Sequence, residues 1–231
     1  YKRQIVNSNF TEFLLKASGN NGTNTSINDA SSNTHSITVN GNAKAQAFTP
    51  YHPGGYSAYF DGTNDGIRTA DNTSLSLGTS DFTVEAWIKP NDVGGTYRAI
   101  IADNIYGANS GSWCIYQLNT KLYIASNSGS GGNAISTLGG SGNTVIRAGE
   151  WQHIAFTRSS NTARLFHNGV QVGSDTTLST NFVDDQILIG ANNHAGGYPA
   201  YEYVGYISDV RVVKGTAVYT CLLYTSDAAD D

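Results

Sequence analysis

Residues 82–88 (FTVEAWI) and residues 151–158 (WQHIAFTR) decide how this chain folds. In each run, β-branched and aromatic side chains alternate with a second set of side chains at a period of two. Turn-forming residues bound both runs. This pattern is typical of β-strands that bury one face and expose the other. The two runs therefore predict a protein built from β-sheets.

The composition favours the same fold class. The 231 residues include 26 Gly, 11% are aromatic and only 13% are charged. Such a chain forms many tight turns and has few of the Leu-, Glu-, Lys- and Ala-rich runs that build helices. About a dozen short strands predict two antiparallel sheets packed face to face, an all-β jelly-roll sandwich.

The individual strands can be predicted from the alternation and from the turn residues between the runs. They span 10–16, 37–39, 82–89, 98–102, 111–118, 121–126, 132–138, 152–158, 162–167, 171–174, 186–190 and 205–213, with a strand–turn–strand unit over 58–67. The unit at 162–174 also predicts its own register. Asn168 and Gly169 form a two-residue turn, so Ala163 and Leu165 face one side of the hairpin and Phe166 faces the other.

The predicted domain runs from residue 10 to residue 220. Residues 1–9 are interpreted as a linker or the end of a preceding region. Residues 221–231 (CLLYTSDAADD) read like the translation of an adapter used in transposon-based sequencing, and we interpret them as a tail that is not native. Three of the eighteen acidic residues lie in this tail, so without it the net charge changes from −5 to −2. The chain contains no Met, so any initiator or leader would lie outside it.

Several partner classes are disfavoured by the sequence. No stretch approaches the roughly 18–20 consecutive apolar residues of a membrane span, which argues against membrane insertion. No basic run suggests a nucleic-acid partner. Cys114 is the one cysteine outside the predicted tail, so no disulfide is expected within the domain.

Four further runs occupy fixed positions around the two decisive strands. They are residues 59–62 (YFDG), 165–169 (LFHNG), 187–190 (ILIG) and 205–212 (GYISDVRV). Their order resembles the laminin G-like domain of the concanavalin A-like lectin/glucanase superfamily, over about residues 10–220. The resemblance implies a jelly-roll fold and a role in recognition.

The closing run, residues 209–220 (DVRVVKGTAVYT), looks like that of laminin G-like modules in phage structural and tail proteins and in bacterial secreted or surface proteins. The resemblance therefore implies an extracellular or virion location. It also implies neighbouring domains in a larger protein.

Glucanases share this fold, so catalysis has to be considered. The resemblance implies that retaining members carry Glu-x-Asp-x-Glu on one strand, which brings two carboxyls together on one sheet face. The chain has four Glu residues, and none has an acidic residue two positions away: Glu12, Glu85, Glu150 and Glu202. Asp61 and Asp65 flank a turn rather than share a strand face. The sequence predicts a protein that is not an enzyme, with a glycoside hydrolase as the distant alternative.

Calcium is the cofactor that the resemblance makes most plausible, because lectin-like sandwiches often hold it between loops. Position in the laminin G-like pattern selects Asp29 and Asp209 as ligands, and carboxylates are the hard oxygen ligands that calcium prefers. A structural role for both is the alternative, with Asp209 paired to Arg211. The histidines show no zinc-binding spacing.

A carbohydrate site needs a flat aromatic ring together with amides and hydroxyls on a rim of loops. Residues 191–203 (ANNHAGGYPAYEY) supply this mixture, and we predict that Tyr198 and Tyr201 stack on sugar while Asn193 and His194 orient it. Residues 103–110 have similar chemistry, and the opposite wall is predicted from Tyr106 and Asn109.

Trp87 and Trp151 lie inside strands and are predicted to belong to the core.

These features lead to one principal hypothesis. The chain is predicted to be a non-catalytic recognition module that binds a glycan or another ligand on a cell surface. The alternative is a structural decoration module of a virion or adhesin that binds nothing small. A glycan array on residues 1–220 separates the two.

Overall fold

A computed structural model describes residues 10–19, 27–47, 49–50, 55–95, 97–103, 111–127, 146–194 and 197–220. The predicted linker (1–9), the predicted tail (221–231) and the predicted strand at 132–138 lie outside these ranges. Within them the strands form two large antiparallel sheets and one short hairpin. The predicted all-β sandwich is confirmed.

The larger sheet holds nine of the described strands. They are β1 (Thr11–Ala17), β2 (Ile27–Asp29), β4 (Lys44–Gln46), β5 (Ser57–Asp61), β7 (Phe82–Pro90), β11 (Gln152–Ser159), β12 (Thr162–His167), β13 (Val170–Thr177) and β17 (Val204–Lys214). Their order across the sheet is β13-β12-β11-β7-β17-β1-β2, and β5 pairs with both β17 and β4.

The smaller sheet holds six of the described strands, in the order β10-β9-β8-β14-β6-β3. These are β3 (Ile37–Asn40), β6 (Gly66–Thr69), β8 (Tyr97–Ala102), β9 (Ser112–Leu118), β10 (Lys121–Asn127) and β14 (Leu188–Ile189). β15 (Asn192–His194) and β16 (Gly197–Ala200) pair only with each other among the described strands. In the described ranges the one helix is a 3₁₀ turn at Thr73–Leu75, and none is long and apolar enough to cross a membrane.

The two runs that decide the fold are neighbouring antiparallel strands. β7 pairs with β11 from Ile88 opposite Gln152 to Phe82 opposite Arg158. Their inward-facing side chains, including Val84, Ile154 and Phe156, are inaccessible to solvent and pack against the inner face of the smaller sheet. The rings of Phe82 and Phe156 meet edge to face with centroids 4.9 Å apart. The predicted alternation is therefore the pattern that builds the core.

At its turn the β12–β13 hairpin has the predicted register, and a bulge between Ala163 and Leu165 shifts the pairing farther from the turn. His167 pairs with Val170 across the turn, and Asn168 and Gly169 both have positive φ, at 50° and 79°. A turn with φ above zero at both central positions matches the twist of a β-hairpin, and Asn-Gly is its preferred sequence. The predicted hairpin is confirmed.

The prediction that Trp87 and Trp151 belong to the core is wrong. Both are only half-buried and lie on the outer side of the larger sheet. The Trp87 ring contacts His153 at 5.3 Å, and the Trp151 ring contacts Tyr206 at 6.3 Å between centroids. The core tryptophan is instead Trp113 of β9, which is 2% exposed.

Arg158 shows how the core accepts a cation. Its side chain is fully buried, and its guanidinium donates to the carbonyl oxygens of Gly78, Ser80 and Thr180 at 2.6–3.0 Å. The guanidinium lies 5.0 Å and 5.3 Å from the ring centroids of Phe82 and Phe182. Hydrogen bonds and ring faces together satisfy the five donors of a planar guanidinium. Arg158 therefore fastens the 78–81 and 178–182 segments to the end of the sandwich.

Candidate functional site

The loop that the sequence singles out, residues 191–203, leaves the smaller sheet and returns to it beside β8. The amide of Gly190 donates to the carbonyl of Ile100 at 2.9 Å as the chain leaves. On its return, the carbonyl of Tyr201 accepts from the amide of Ala99 at 2.8 Å. Between these two anchors the chain forms the β15–β16 hairpin on the outer face of the smaller sheet. The exit needs a glycine, because Gly190 has a φ of 74° and a Cβ there would lie 2.3 Å from the Phe60 ring.

Tyr198 is held against the sheet beneath the hairpin. Its hydroxyl reaches β6 so closely that a Cβ on Gly66 would lie 2.3 Å from the oxygen. The guanidinium of Arg68 lies 5.3 Å from the centroid of its ring, a cation–π contact. Burial raises the pKa of Tyr198 well above the usual tyrosine value. The hydroxyl has no hydrogen-bond partner in the described part of the chain.

Tyr201 begins a row of four tyrosine rings that crosses the same face of the sheet, which we call the tyrosine row. The Tyr201 ring lies 4.7 Å from Tyr97, and Tyr97 stacks on Tyr116 at 4.1 Å with an interplanar angle of 20°. Tyr116 stacks on Tyr123 at 5.1 Å and 10°. Tyr116 is only 7% exposed, whereas the other three rings are half-buried. The row ends in the Tyr123 ring on β10, the outermost described strand of the smaller sheet.

Small side chains support the tyrosine row. Ala99 of β8 lies opposite Tyr116 of β9. Ala125 of β10 lies opposite Cys114 of β9, two residues before Tyr116. The Tyr97 hydroxyl donates to the Cys114 sulfur at 3.8 Å. Burial raises the pKa of the Cys114 thiol to about 12, so the thiol stays protonated and unreactive at neutral pH. The side chains beneath the tyrosine row, Ala99, Cys114 and Ala125, are therefore small, uncharged and unreactive.

The predicted carbohydrate residues are only partly brought together. Tyr198 and Tyr201 pack against the same cluster on the outer face of the smaller sheet, and Asn193 is half-buried in β15. Nothing is described of the His194 side chain. Tyr106 and Asn109 fall outside the described residues.

The sequence analysis missed Tyr97, Tyr116 and Tyr123. A signal for two of them was present. Leu118 pairs with Lys121 across a two-residue turn, which places Tyr116 directly opposite Tyr123 on one face. Contact between Tyr97 and Tyr201 had no such local signal, because these residues meet only through the pairing of β8 with a distant segment.

The two predicted calcium ligands have different surroundings. Asp29 accepts four hydrogen bonds of 2.8–2.9 Å, from the amides of Leu14, Ser31 and His35 and from the Ser31 hydroxyl. These donors occupy about all the lone-pair positions of a carboxylate. Asp29 therefore anchors the turn after β2.

Asp209 lies in a bulge of β17 with a φ of 51°. It forms an ion pair with Lys16 and accepts a 2.6 Å hydrogen bond from the Ser208 hydroxyl. A calcium ion would have to displace the Lys16 ammonium from this carboxylate. Among the described residues, no group of three or more His, Cys, Asp or Glu side chains could hold a metal ion.

Glu85 is the carboxylate that most resembles a catalytic residue, because it is 1% exposed and bonded to ionisable groups. It accepts hydrogen bonds from Arg211 and Tyr219, each at 2.5 Å, and lies 3.1 Å from the His153 ring nitrogen. Burial alone would raise the pKa of Glu85, but the hydrogen bond and charge of His153, together with the Arg211 charge, hold it below the usual value. All its oxygens are engaged by the protein, so the arrangement is typical of a structural network.

Asp61 and Asp65 form a second pair of carboxylates, at the turn between β5 and β6. Burial raises the pKa of Asp65, whereas a hydrogen bond from Asn42 lowers that of Asp61. Asp65 is completely inaccessible and accepts hydrogen bonds from the amides of Asn42 and Asp61, both at 2.8 Å. A substrate could not reach it, so the pair holds the turn.

Comparison with known proteins places this sandwich in a family. A model of the concanavalin A-like lectin/glucanases superfamily matches residues 61–217, more than half of the chain. No curated protein matches the chain. Solved structures with the same fold do, at low sequence identity.

Three of these structures illustrate the likeness. The botulinum neurotoxin serotype G binding domain has a TM-score of 0.61 at 11% identity, covering 89% of this chain and 48% of that one. The binding domain of botulinum neurotoxin DC in complex with SialylT has a TM-score of 0.59 at 14% identity, covering 90% and 48%. Domain 4 of AbnA, a GH43 extracellular arabinanase from Geobacillus stearothermophilus, in complex with arabinotriose, has a TM-score of 0.58 at 21% identity, covering 88% and 94%.

The chain spans about half the length of the toxin binding domains and nearly the whole of the arabinanase domain. At these identities the likeness shows a shared fold. The match to the family model, on a sandwich of this topology, shows that the chain belongs to the concanavalin A-like lectin/glucanase superfamily.

Proposed function

We propose that this domain is a non-catalytic module that binds carbohydrate on the outer face of the smaller sheet, along the tyrosine row. The observation that carries the proposal is the row itself, four neighbouring rings of which three are only half-buried. Aromatic rings bind the apolar face of a sugar, while phenol hydroxyls meet its hydroxyl groups. The β15–β16 hairpin forms a wall at one end of the row.

The two ends of the row have distinct roles in this proposal. Tyr123 lies at the edge of the sheet, and one face of its ring stacks on Tyr116 while the other has no ring contact among the described residues. Tyr201 lies beside the hairpin, where Asn193 can supply amide groups. An extended glycan can therefore lie along the row between the two ends.

The comparisons support recognition rather than catalysis. Two of the three structures described above are binding domains and the third is one domain of an arabinanase, and two of the three were solved in complex with arabinotriose or SialylT. In the proposed setting, the domain belongs to a phage tail or structural protein, or to a secreted adhesive protein, outside the cell. Capsid, tail or secretion genes beside its own gene would identify that setting.

A glycan array tests the proposal directly. The wild-type domain should bind a defined group of glycans, and Tyr123→Ala should weaken that binding by at least about 1 kcal/mol without unfolding the domain. Trp151→Ala, a half-buried aromatic residue on the opposite face, is the matched control and should bind as the wild type does. If no glycan on the array binds, the result favours the alternative, a decoration module that packs against neighbouring subunits.

A further inference from the structure

The central strand β17 changes partners along one edge. From Val204 to Ile207 that edge pairs with β5, and from Arg211 to Val213 it pairs with β1. Between the two, the register shifts and Asp209 takes a left-handed conformation with a φ of 51°. Because β5 and β1 diverge at this bulge, they leave a cleft of about 210 Å³ between them.

The walls of this cleft combine apolar and polar groups. Its lining includes Lys16, Tyr56, Ser57, Ile207, Ser208 and Asp209. Ile207 closes it toward the core, and the Tyr56 hydroxyl is fixed by a 3.1 Å hydrogen bond to the carbonyl of Gly19. Apolar and polar groups that converge in a concave site are the usual mark of a small-molecule site.

One polar atom in the cleft lacks a partner. Ser57 is 1% exposed, and its hydroxyl forms no hydrogen bond within the described part of the chain. A buried hydroxyl is normally satisfied by protein, water or ligand. Asp209, which is 6% exposed, accepts from Ser208 and pairs with Lys16 at the mouth. The cleft thus holds a hydroxyl, a carboxylate and an ammonium group in one small volume.

Charge and size limit what the cleft can hold. Lys16 and Asp209 neutralise each other, so an ionic ligand would have to displace one of them from the ion pair. A neutral ligand with several hydroxyls can instead donate to the carboxylate and accept from the ammonium group without breaking the pair. The volume equals that of about seven water molecules, which suits a single small ring and is too small for a drug-sized ligand.

We propose that this cleft is a second binding site, on the face opposite the tyrosine row, that holds one neutral sugar residue. Asp209 accepts hydrogen bonds from the sugar hydroxyls, Ser57 bonds to another hydroxyl, and the Tyr56 ring contacts the apolar part of the sugar. The site is independent of the tyrosine row, because no residue is shared between them.

The test uses the full chain and methyl glycosides of the common neutral monosaccharides, observed by saturation-transfer NMR and titration. Two variants remove one group each. Asp209→Asn removes the charge and keeps a residue that tolerates positive φ, and Ser57→Ala removes the unpartnered hydroxyl. We expect at least one neutral glycoside to bind, with affinity lowered about tenfold in Asp209→Asn and about threefold to tenfold in Ser57→Ala. Trp151→Ala should bind as the wild type does.

Several results would overturn the proposal. They are the absence of binding by every neutral glycoside, or wild-type affinity in both variants. Binding that is lost in Tyr201→Asn but kept in Asp209→Asn would place the sugar on the tyrosine row instead. If Asp209→Asn fails to fold, as judged by circular dichroism, Ser57→Ala alone decides between these outcomes.

Discussion

Aromatic residues lie on both outer faces of the sandwich, but different interactions hold them. On the larger sheet, Trp87 and Tyr219 lie beside the buried carboxylate of Glu85. The segment that carries Tyr219 crosses this face and is fixed by hydrogen bonds from Thr157 to the Tyr219 carbonyl and from the Val218 amide to Thr83. The aromatic rings here belong to a charged network that the end of the domain covers.

On the smaller sheet, the described contacts of the tyrosine row are of another kind. Its rings contact each other and rest on Ala99 and Cys114. The half-buried aromatic residues on the two outer faces are therefore held by different kinds of contact. Where the buried charge of Glu85 depends on its neighbours, that part of the face is structural. Where neutral rings rest on small side chains, the face is the one that we propose for binding a ligand.

The largest expected effect is the loss of stability when the charged network is broken. In Glu85→Ala, Arg211 keeps a charge that is 8% exposed and has lost its partner, so we expect destabilisation by about 3–5 kcal/mol. Urea denaturation measures the loss. Tyr123→Ala on the other face is the matched control, with a much smaller change expected. Equal losses in the two variants would remove the distinction between the faces.

A nearly equal effect separates the core from the outer faces. Trp113→Ala should destabilise the domain by about 3–5 kcal/mol, because it leaves a cavity among buried side chains. Trp87→Ala should cost only about 1–2 kcal/mol, since the ring is half-buried beside His153. If Trp87→Ala proved as damaging as Trp113→Ala, the outer face of the larger sheet would be a second core.

A smaller effect is expected from pH. The pKa of Glu85 in the folded domain lies below its ordinary value of 4.5, so ionised Glu85 stabilises the fold above that pH. This stabilisation should disappear as the pH falls from 4.5 through the lower folded pKa. Unfolding free energies measured across this range should depend less steeply on pH in Glu85→Gln. An identical slope in wild type and variant would show that Glu85 does not titrate as described.

Calcium makes the smallest expected difference. Asp29 is saturated by backbone and hydroxyl donors, and Asp209 is paired with Lys16. We therefore expect the melting curve to be the same in calcium and in chelator. A gain of about 2.7 kcal/mol at a calcium concentration 100 times its dissociation constant would instead show that one of these carboxylates binds the ion.

Most of the fold could be predicted because it depends on local alternation. The β12–β13 hairpin follows from Asn168 and Gly169, and the central pair β7 and β11 follows from the runs quoted first. The same alternation would have predicted the position of Trp87 correctly. Ala86 and Ile88 face the core, so alternation places Trp87 outside with Glu85, and the prediction failed because it followed residue type rather than position.

The candidate site could be predicted only in part. The composition of the 191–203 loop identified Tyr201, but its contact with Tyr97 depends on where that loop rejoins β8. The cleft beside Asp209 depends on a change of partner along β17, which no local pattern encodes. Contacts between residues distant in sequence arise from the assembled sheets, and single-sequence patterns contain no information on them.

Titration of the array-selected glycan into four proteins tests whether the tyrosine row binds carbohydrate. These are the wild type, Tyr123→Ala, Trp151→Ala and Tyr201→Asn, in which Asn tolerates the positive φ of 54° at position 201. We expect the two tyrosine variants to lose at least about 1 kcal/mol of binding free energy, while Trp151→Ala matches the wild type. Full affinity in both tyrosine variants, or a loss confined to Trp151→Ala, would contradict it.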